Sequence, residues 1–239
     1  MKHETHSWYS PTLDRAMTLQ ILGHAGARAL VFPTVLGTHT EWLDHGMDQA
    51  LKSHIDNGWI QLFCLDQVHS ESWYADHKPI AERVQRQLEY DRYLVEEVLP
   101  FTQQVNNSAF VIAVGADFGA YQAAALGFRH PTLVHRIIGL SGLYDIRHLA
   151  RGDSDVAVTA CNPFTFIQLE RDNSRIEAMR RQDIVLVVGR DDPVCGNNTQ
   201  FSGVLWGRGI NHTLKLWDGW AHDWASWKEM VAKYIDGHG

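Results

Sequence analysis

The stretch Phe110-Val111-Ile112-Ala113-Val114-Gly115-Ala116-Asp117-Phe118-Gly119-Ala120-Tyr121 decides how the rest of the chain is interpreted. It begins with an apolar run rich in β-branched residues, which predicts a buried strand. An alanine-rich amphipathic segment, Tyr121 to Phe128, follows and predicts a helix. Between them Gly115 and Gly119 flank Asp117, and glycine avoids a collision with the neighbouring strand and helix in such a tight turn. The turn lifts the Asp117 side chain clear of the sheet, at the start of the helix.

On either side of this stretch, short apolar runs alternate with amphipathic segments along the whole chain. This alternation is typical of a mainly parallel α/β sheet with helices on both faces. The N-terminal segments His6 to Tyr9 and Ala16 to Leu22 flank a turn and predict an antiparallel pair at the sheet edge. Further buried strands are predicted at Ala29 to Phe32, Trp59 to Leu65, Arg136 to Leu140, Ile184 to Val188 and Thr213 to Trp217. Further helices are predicted at Glu41 to His54, Ile80 to Gln104, Gly196 to Gly207 and Trp224 to Ile235.

No repeat or linker divides the sequence, so residues 1–239 are predicted to form one domain, with 146–180 the only room for an inserted lid. The net charge of −7, without a basic stretch, argues against nucleic acid as a partner. No apolar run approaches the roughly 18 residues of a membrane span, and Met1 to His6 does not resemble a signal peptide. Three scattered cysteines suit a reducing cytosol, so we expect a cytoplasmic protein without a membrane partner. A homo-oligomer is left open, and no metal or other cofactor is expected.

Three residues that follow predicted strands occur in the order nucleophile, acid, histidine that α/β-hydrolases use. They are Asp117, Asp192 in Gly189-Arg190-Asp191-Asp192, and His222 in Gly219-Trp220-Ala221-His222-Asp223-Trp224. A catalytic histidine needs a carboxylate on one ring nitrogen, which leaves the other nitrogen free to handle a proton. Each motif alone is better explained by a helix start or a packed histidine. Their joint occurrence at strand ends favours a catalytic triad, with Asp191 as the alternative acid.

Over nearly its whole length the sequence resembles the esterase-D-like esterases of the α/β-hydrolase superfamily. The most specific motifs are Gly-x-x-Phe-Gly at the turn, Gly-x-x-Asp in the acid loop and the segment Gly219 to Trp227. The resemblance implies the α/β-hydrolase fold, with His222 as the catalytic histidine and Asp192 as the acid. It also implies an oxyanion hole formed by the backbone amides of Phe118 and Val35, with Leu36 beside it.

Two departures from the family pattern concern the chemistry directly. Family members carry serine where this chain has Asp117, and they usually carry glycine where it has Ala120. The loop that supplies the second oxyanion amide often begins His-Gly in the family, whereas this chain has Pro33-Thr34-Val35-Leu36-Gly37.

An aspartate at this turn is already an anion at neutral pH, because the reference pKa of its side chain is about 3.9. Attack by a carboxylate on an ester carbonyl would give a mixed anhydride and is disfavoured. Attack on a saturated carbon that bears a halide, or on an epoxide, gives an ordinary ester that a histidine-activated water can hydrolyse. This arrangement resembles haloalkane dehalogenases and epoxide hydrolases, which bind halide through Trp or Asn side chains or protonate the epoxide through tyrosines. Loop aromatic residues that could line such a pocket, or simply pack, are Trp42, Trp73, Trp220 and Tyr144.

We therefore expect a hydrolase that acts on a small organic substrate through the Asp117 carboxylate and is poor on ordinary esters. One alternative is a catalytically silent esterase homologue that binds a partner, with Asp117 paired to a protonated His222 and accepting both amides. The other alternative uses Asp117 as a general base beside an oxyanion hole.

Overall fold

The computed structural model describes residues 2–150 and 156–236. Within them, strands form one sheet in the order β1-β2-β4-β3-β5-β6-β7-β8. The first two strands and the β2–β4 pair are antiparallel, and every other neighbouring pair is parallel. The predicted mainly parallel sheet with an antiparallel N-terminal edge is therefore confirmed. The strands are His3–Ser10 (β1), Arg15–Leu22 (β2), Ala27–Phe32 (β3), Ile60–Leu65 (β4), Val111–Ala116 (β5), Arg136–Leu140 (β6), Asp183–Gly189 (β7) and Thr213–Trp217 (β8).

Helices connect the strands, and no helix of the described residues is long and apolar enough to cross a membrane. The N-terminal half contains Glu41–Asp44 (α1), Met47–Ala50 (α2), Lys52–Asp56 (α3), Ile80–Tyr93 (α4) and Leu99–Val105 (α5). The C-terminal half contains Phe118–Arg129 (α6), Val156–Cys161 (α7), Pro163–Leu169 (α8), Asn173–Arg180 (α9), Cys195–Gly207 (α10) and Trp224–Tyr234 (α11).

Two predicted helices differ from the observed ones. The segment predicted as one helix from Glu41 to His54 consists of three short helices. Gly46 separates α1 from α2 by adopting a left-handed backbone conformation with φ of +72°, and Leu51 lies between α2 and α3. The long helix predicted from Ile80 is present, and a π-helical turn at Leu94–Val98 joins α4 to α5. Residues 146–180, the only segment with room for an inserted lid, hold α7, α8 and α9, and residues 151–155 within this segment lie outside the described part of the chain.

Both faces of the central strands are buried, which explains their unbroken apolar sequences. On β3, Ala29 and Val31 belong to the hydrophobic cluster on one face, whereas Leu30 and Phe32 belong to the cluster on the other. Alternate residues of β5 divide between the two clusters in the same way. A strand buried on both sides has no polar face, so its sequence reads as a continuous apolar run.

The sheet order changes direction at β3, because β4 lies on one side of it and β5 on the other. In doubly wound sheets ligands bind at the carboxyl ends of strands beside such a reversal. Three non-glycine residues with positive φ follow neighbouring strands at this edge: Leu36 after β3, Asp117 after β5 and Ser141 after β6. Backbone strain of this kind concentrates at functional sites, so the carboxyl edge beside β3 and β5 is the candidate site.

Candidate active site

The turn between β5 and α6 holds Asp117 in a strained conformation, with φ of +54° and ψ of −122°. A Cβ on Gly115 would lie 2.3 Å from the carbonyl carbon of Gly119, and a Cβ on Gly119 would lie 2.5 Å from the Phe32 carbonyl oxygen. No side chain fits at either position. The close crossing of strand and helix therefore requires both glycines, and it raises the Asp117 side chain above the sheet.

The two carboxylate oxygens of Asp117 have different partners. Oδ2 accepts a hydrogen bond from the Val35 amide at 3.1 Å, and the Phe118 amide also favours the charged form of this carboxylate. Oδ1 lies 3.5 Å from Nε2 of His222. One side of the carboxylate therefore faces the amides that resemble an oxyanion hole, while the other side faces the histidine.

The second nitrogen of His222 is held by the acid loop after β7. Nδ1 lies 2.9 Å from Oδ1 of Asp192, whose side chain is fully buried and also accepts the Val194 amide at 3.1 Å. Asp191, the alternative acid in the sequence, is exposed to solvent. Of the two adjacent aspartates, Asp192 is thus the one that contacts the histidine.

The two carboxylates control the charge of His222. Burial alone would lower the pKa of this imidazole, but its hydrogen bonds and charge attraction to Asp117 and Asp192 outweigh burial and raise the pKa to about 9. Burial raises the pKa of Asp117, yet hydrogen bonds from His222 and from the Val35 and Phe118 amides leave that pKa below its ordinary value. At pH 7 an imidazolium consequently lies between two carboxylates.

Ser141, which follows β6, forms hydrogen bonds to the loop and the helix that flank His222. Its buried hydroxyl accepts the indole N–H of Trp227 at 3.1 Å and donates to the Ala221 carbonyl at 3.3 Å. The pKa of Asp192, which burial raises, is held below its ordinary value by His222 together with the nearby Ser141 hydroxyl and the Val194 amide. Because its hydroxyl is buried and engaged on both sides, Ser141 is not presented to solvent as a nucleophile would be.

The predicted pocket residues, taken together with Val35 of the predicted oxyanion hole, divide into two groups. Val35, Leu36 and Trp220 are 37%, 52% and 56% exposed, and the Trp220 ring centre lies 6.2 Å from that of His222, so they form an apolar rim beside Asp117.

Trp42, Trp73 and Tyr144 are instead buried in the hydrophobic clusters and offer no exposed face to a substrate. The Trp73 indole N–H donates to the Tyr121 hydroxyl at 2.9 Å, and Tyr144 stacks on Phe201 with ring centres 4.5 Å apart. Their expected place on a pocket wall is therefore corrected to the core, because their polar groups point into the protein.

Two residues near Asp117 were missing from the sequence-based site. The ring of Tyr74 packs edge-on against Phe118 with centres 5.1 Å apart, and burial followed by the Asp117 charge raises the pKa of its phenol to about 12. No sequence motif marks His69, but its Nδ1 accepts a hydrogen bond from the Leu36 amide at 3.1 Å. Among the described residues, no group of three or more His, Cys, Asp or Glu side chains could hold a metal ion.

Comparison with known proteins agrees with this geometry at the level of the fold. No protein-family model matches the sequence, and no curated protein matches it. A solved structure described as a ferulic acid esterase aligns with a TM-score of 0.74 at 15% identity, covering 98% of this chain and 96% of that one. An S-formylglutathione hydrolase from Agrobacterium tumefaciens aligns with a TM-score of 0.76 at 14% identity, covering 99% and 94%.

A third structure, MPT51 (FbpC1) from Mycobacterium tuberculosis, aligns with a TM-score of 0.72 at 15% identity, covering 100% of this chain and 98% of that one. The alignments extend over nearly the whole length of each chain. The chain described here has the α/β-hydrolase fold.

Proposed function

We propose that this chain is a hydrolase that uses Oδ1 of Asp117 as a nucleophile on a saturated carbon bearing a halide or an epoxide oxygen. The observation that supports the proposal is that the two Asp117 carboxylate oxygens have different partners. Oδ2 bonds to the Val35 amide, whereas Oδ1 is left on the side of His222. Solved structures of the same fold that are described as esterases and as an S-formylglutathione hydrolase support a hydrolase as the general class.

In the first step Oδ1 would attack the substrate carbon and form a carbon–oxygen bond. The bond from that carbon to its leaving group breaks, and the electron pair departs with the halide or stays on the opened epoxide oxygen, which takes a proton from water. Asp117 becomes an alkyl ester whose carbonyl oxygen is Oδ2. That oxygen already accepts the Val35 amide, so the ester forms with its carbonyl in place for the second step.

Esterification also changes the role of His222. The resting imidazolium is stabilised by two carboxylates, and the ester removes one of those charges. Its pKa then falls and a proton leaves to solvent, so the neutral imidazole can accept a proton from water. The resulting hydroxide attacks Cγ of Asp117, and the tetrahedral oxyanion forms on Oδ2, beside the Val35 and Phe118 amides. The intermediate collapses as the Cγ–Oδ1 bond breaks, and Oδ1 leaves as part of the alkoxide, which takes the proton from His222. Asp117 is left as a carboxylic acid that contains the oxygen of the water molecule, and it returns to the resting carboxylate by passing its proton to His222.

The surroundings of Asp117 favour a small, largely apolar substrate. Its carboxylate is about a quarter exposed, and the neighbouring exposed side chains are Val35, Leu36 and Trp220. A general base would need a pKa near the working pH, and the lowered pKa of Asp117 makes it a weak base. We therefore place nucleophilic attack ahead of proton abstraction.

One observation favours a second candidate, the catalytically silent homologue. The Asp117–His222 contact is an ion pair at rest, and the carboxylate fills the position that a reaction oxyanion would otherwise occupy. Such an arrangement stabilises itself without any substrate. The chain would then be a binding protein that uses the rim around Asp117.

Steady-state turnover distinguishes the candidates. Wild type, Asp117→Asn and Asp117→Ser are assayed on aryl esters, 1-haloalkanes and terminal epoxides, with Asp191→Asn as a control that removes the neighbouring exposed carboxylate. The nucleophile proposal expects halide or diol release by wild type and Asp191→Asn, at least about a thousandfold loss in Asp117→Asn, and little aryl-ester cleavage. Absence of turnover in wild type, with aryl-ester cleavage gained in Asp117→Ser, would support the silent homologue instead.

A further inference from the structure

The loop that supplies the Val35 amide contains one turn hydrogen bond of its own, from the Gly37 amide to the Thr34 carbonyl at 3.1 Å. We call residues 34–37 the oxyanion loop. Leu36 lies at its centre with φ of +54°, a conformation that costs a non-glycine residue about 1–2 kcal/mol. The Leu36 side chain is half exposed and gains little from packing. The internal turn bond does not involve the Val35 or Leu36 amides, so contacts from outside the loop complete its support.

Those contacts come from side chains on both sides of the loop. At its start, the Thr34 amide and hydroxyl both donate to the Glu41 carboxylate, at 2.8 and 2.6 Å. At its end, the Gly37 carbonyl accepts a hydrogen bond from the side-chain Nε2 of Gln67 at 2.9 Å. In the middle, the Leu36 amide donates to Nδ1 of His69 at 3.1 Å. The peptide that carries the Val35 N–H therefore lies between two anchored peptides, with the Thr34 amide held by Glu41 before it and the Leu36 amide held by His69 after it.

The His69 imidazole stays neutral and can accept a hydrogen bond on Nδ1. Its side chain is fully buried, and burial lowers the pKa of the imidazole to about 3 although the Asp117 charge opposes this. Its edge packs against the ring of Phe118 at 90°, with centres 4.8 Å apart. His69 therefore contacts Leu36, next to the Val35 amide that donates to Asp117, and the ring of Phe118, whose amide favours the charged form of Asp117. Among the described residues, its Nε2 has no hydrogen-bond partner.

We propose that His69 is a positioning residue that directs the Val35 amide toward Asp117 by accepting the Leu36 amide on its unprotonated Nδ1. The inference rests on the proposed function only in treating these amides as an oxyanion hole, and its test needs no substrate. The oxyanion loop of this chain has no His-Gly pair, and His69, which follows β4, is the side chain that directs the Val35 amide.

A matched pair of variants separates acceptance of the hydrogen bond from packing. His69→Asn places its side-chain oxygen where Nδ1 was, whereas His69→Leu has nearly the same shape and no acceptor. Amide hydrogen exchange of Val35 and Leu36, and the pKa of Asp117 from carboxyl NMR, are measured in wild type and in both variants. Loss of one hydrogen bond predicts about fivefold to tenfold faster exchange in His69→Leu. The pKa of Asp117 is expected to rise in His69→Leu and to stay near the wild-type value in His69→Asn.

Equal changes in the two variants would overturn the proposal, since the acceptor would then be irrelevant. Unchanged exchange and an unchanged Asp117 pKa in His69→Leu would overturn it as well. Should either variant fail to fold, wild-type protein supplies a second measurement, the ¹⁵N shifts of the His69 ring. The proposal expects Nδ1 unprotonated and Nε2 protonated throughout pH 5 to 8, and a proton on Nδ1 would refute it. Failure of the hydrolase proposal would leave all of these results unchanged.

Discussion

Replacing Asp117 by asparagine should make His222 a markedly weaker base. The rise of its pKa from 6.5 to about 9 corresponds to about 3.4 kcal/mol of preference for the charged ring. At an effective dielectric constant of about 20, carboxylates at 2.9 and 3.5 Å contribute attractions of about 6 and 5 kcal/mol before the opposing cost of burial. Asp117 thus supplies a little under half of the attraction.

The side-chain amide introduced by Asp117→Asn would also take an orientation that disfavours the imidazolium form of His222. Because the Val35 N–H needs an acceptor, the amide oxygen takes the place of Oδ2 and the NH₂ group faces Nε2 of His222. We therefore expect the His222 pKa to fall by at least about one unit in Asp117→Asn. The charge-matched control is Asp191→Asn, which removes an exposed neighbouring charge and should shift that pKa only slightly.

NMR titration of the histidine ring protons measures these pKa values, with His222→Gln identifying the His222 signal. Wild-type titration near 6.5 would refute the ion pair at rest. Equal shifts in Asp117→Asn and Asp191→Asn would refute the argument that direct contact, rather than net charge, raises the pKa.

Three further predictions concern stability. Gly119→Ala should lower the free energy of unfolding by more than about 2 kcal/mol, because its Cβ would lie 2.5 Å from a backbone carbonyl, whereas Gly196→Ala, with open space around its Cβ, should be neutral or stabilising in the same urea titration. Because folding raises the pKa of His222, its protonation stabilises the folded state fully below about pH 6.5, and this contribution is lost as pH rises to about 9. The free energy of unfolding should fall over that range by at most about 1.4 kcal/mol per pH unit. Urea titrations of His222→Gln should lack this decline, and an identical decline in that variant would contradict the prediction. Ser141→Ala should cost about 1–3 kcal/mol by leaving the buried Trp227 indole N–H without an acceptor, and thermal unfolding unchanged from wild type would show that this bond is dispensable.

The strands and the meeting of Asp117, Asp192 and His222 could be predicted because both depend on regular structure. Strands buried on two faces leave continuous apolar runs in the sequence. Parallel strands bring their carboxyl ends to one edge, so residues that follow β5, β7 and β8 lie together even though they are far apart in the chain.

The aromatic residues around the site could not be assigned from sequence, because side-chain direction in a loop has no period. In the segment after β4, Trp73 was expected at the pocket and Tyr74 was not, yet Trp73 points into the core and Tyr74 packs beside Phe118. The role inferred for His69 was equally hidden, since it depends on a contact between two separate loops.

The central claim is that Asp117 itself bonds covalently to the substrate, and mass spectrometry of trapped protein tests it most directly. His222→Gln, which lacks the base for the second step, is incubated with the haloalkane or epoxide that wild type turns over, then quenched and digested. One alkyl group is expected on the peptide that contains Asp117, and no such group is expected when Asp117→Asn is added to the same variant. Turnover by wild type that persists in Asp117→Asn, with Asp117 unmodified in His222→Gln, would contradict it.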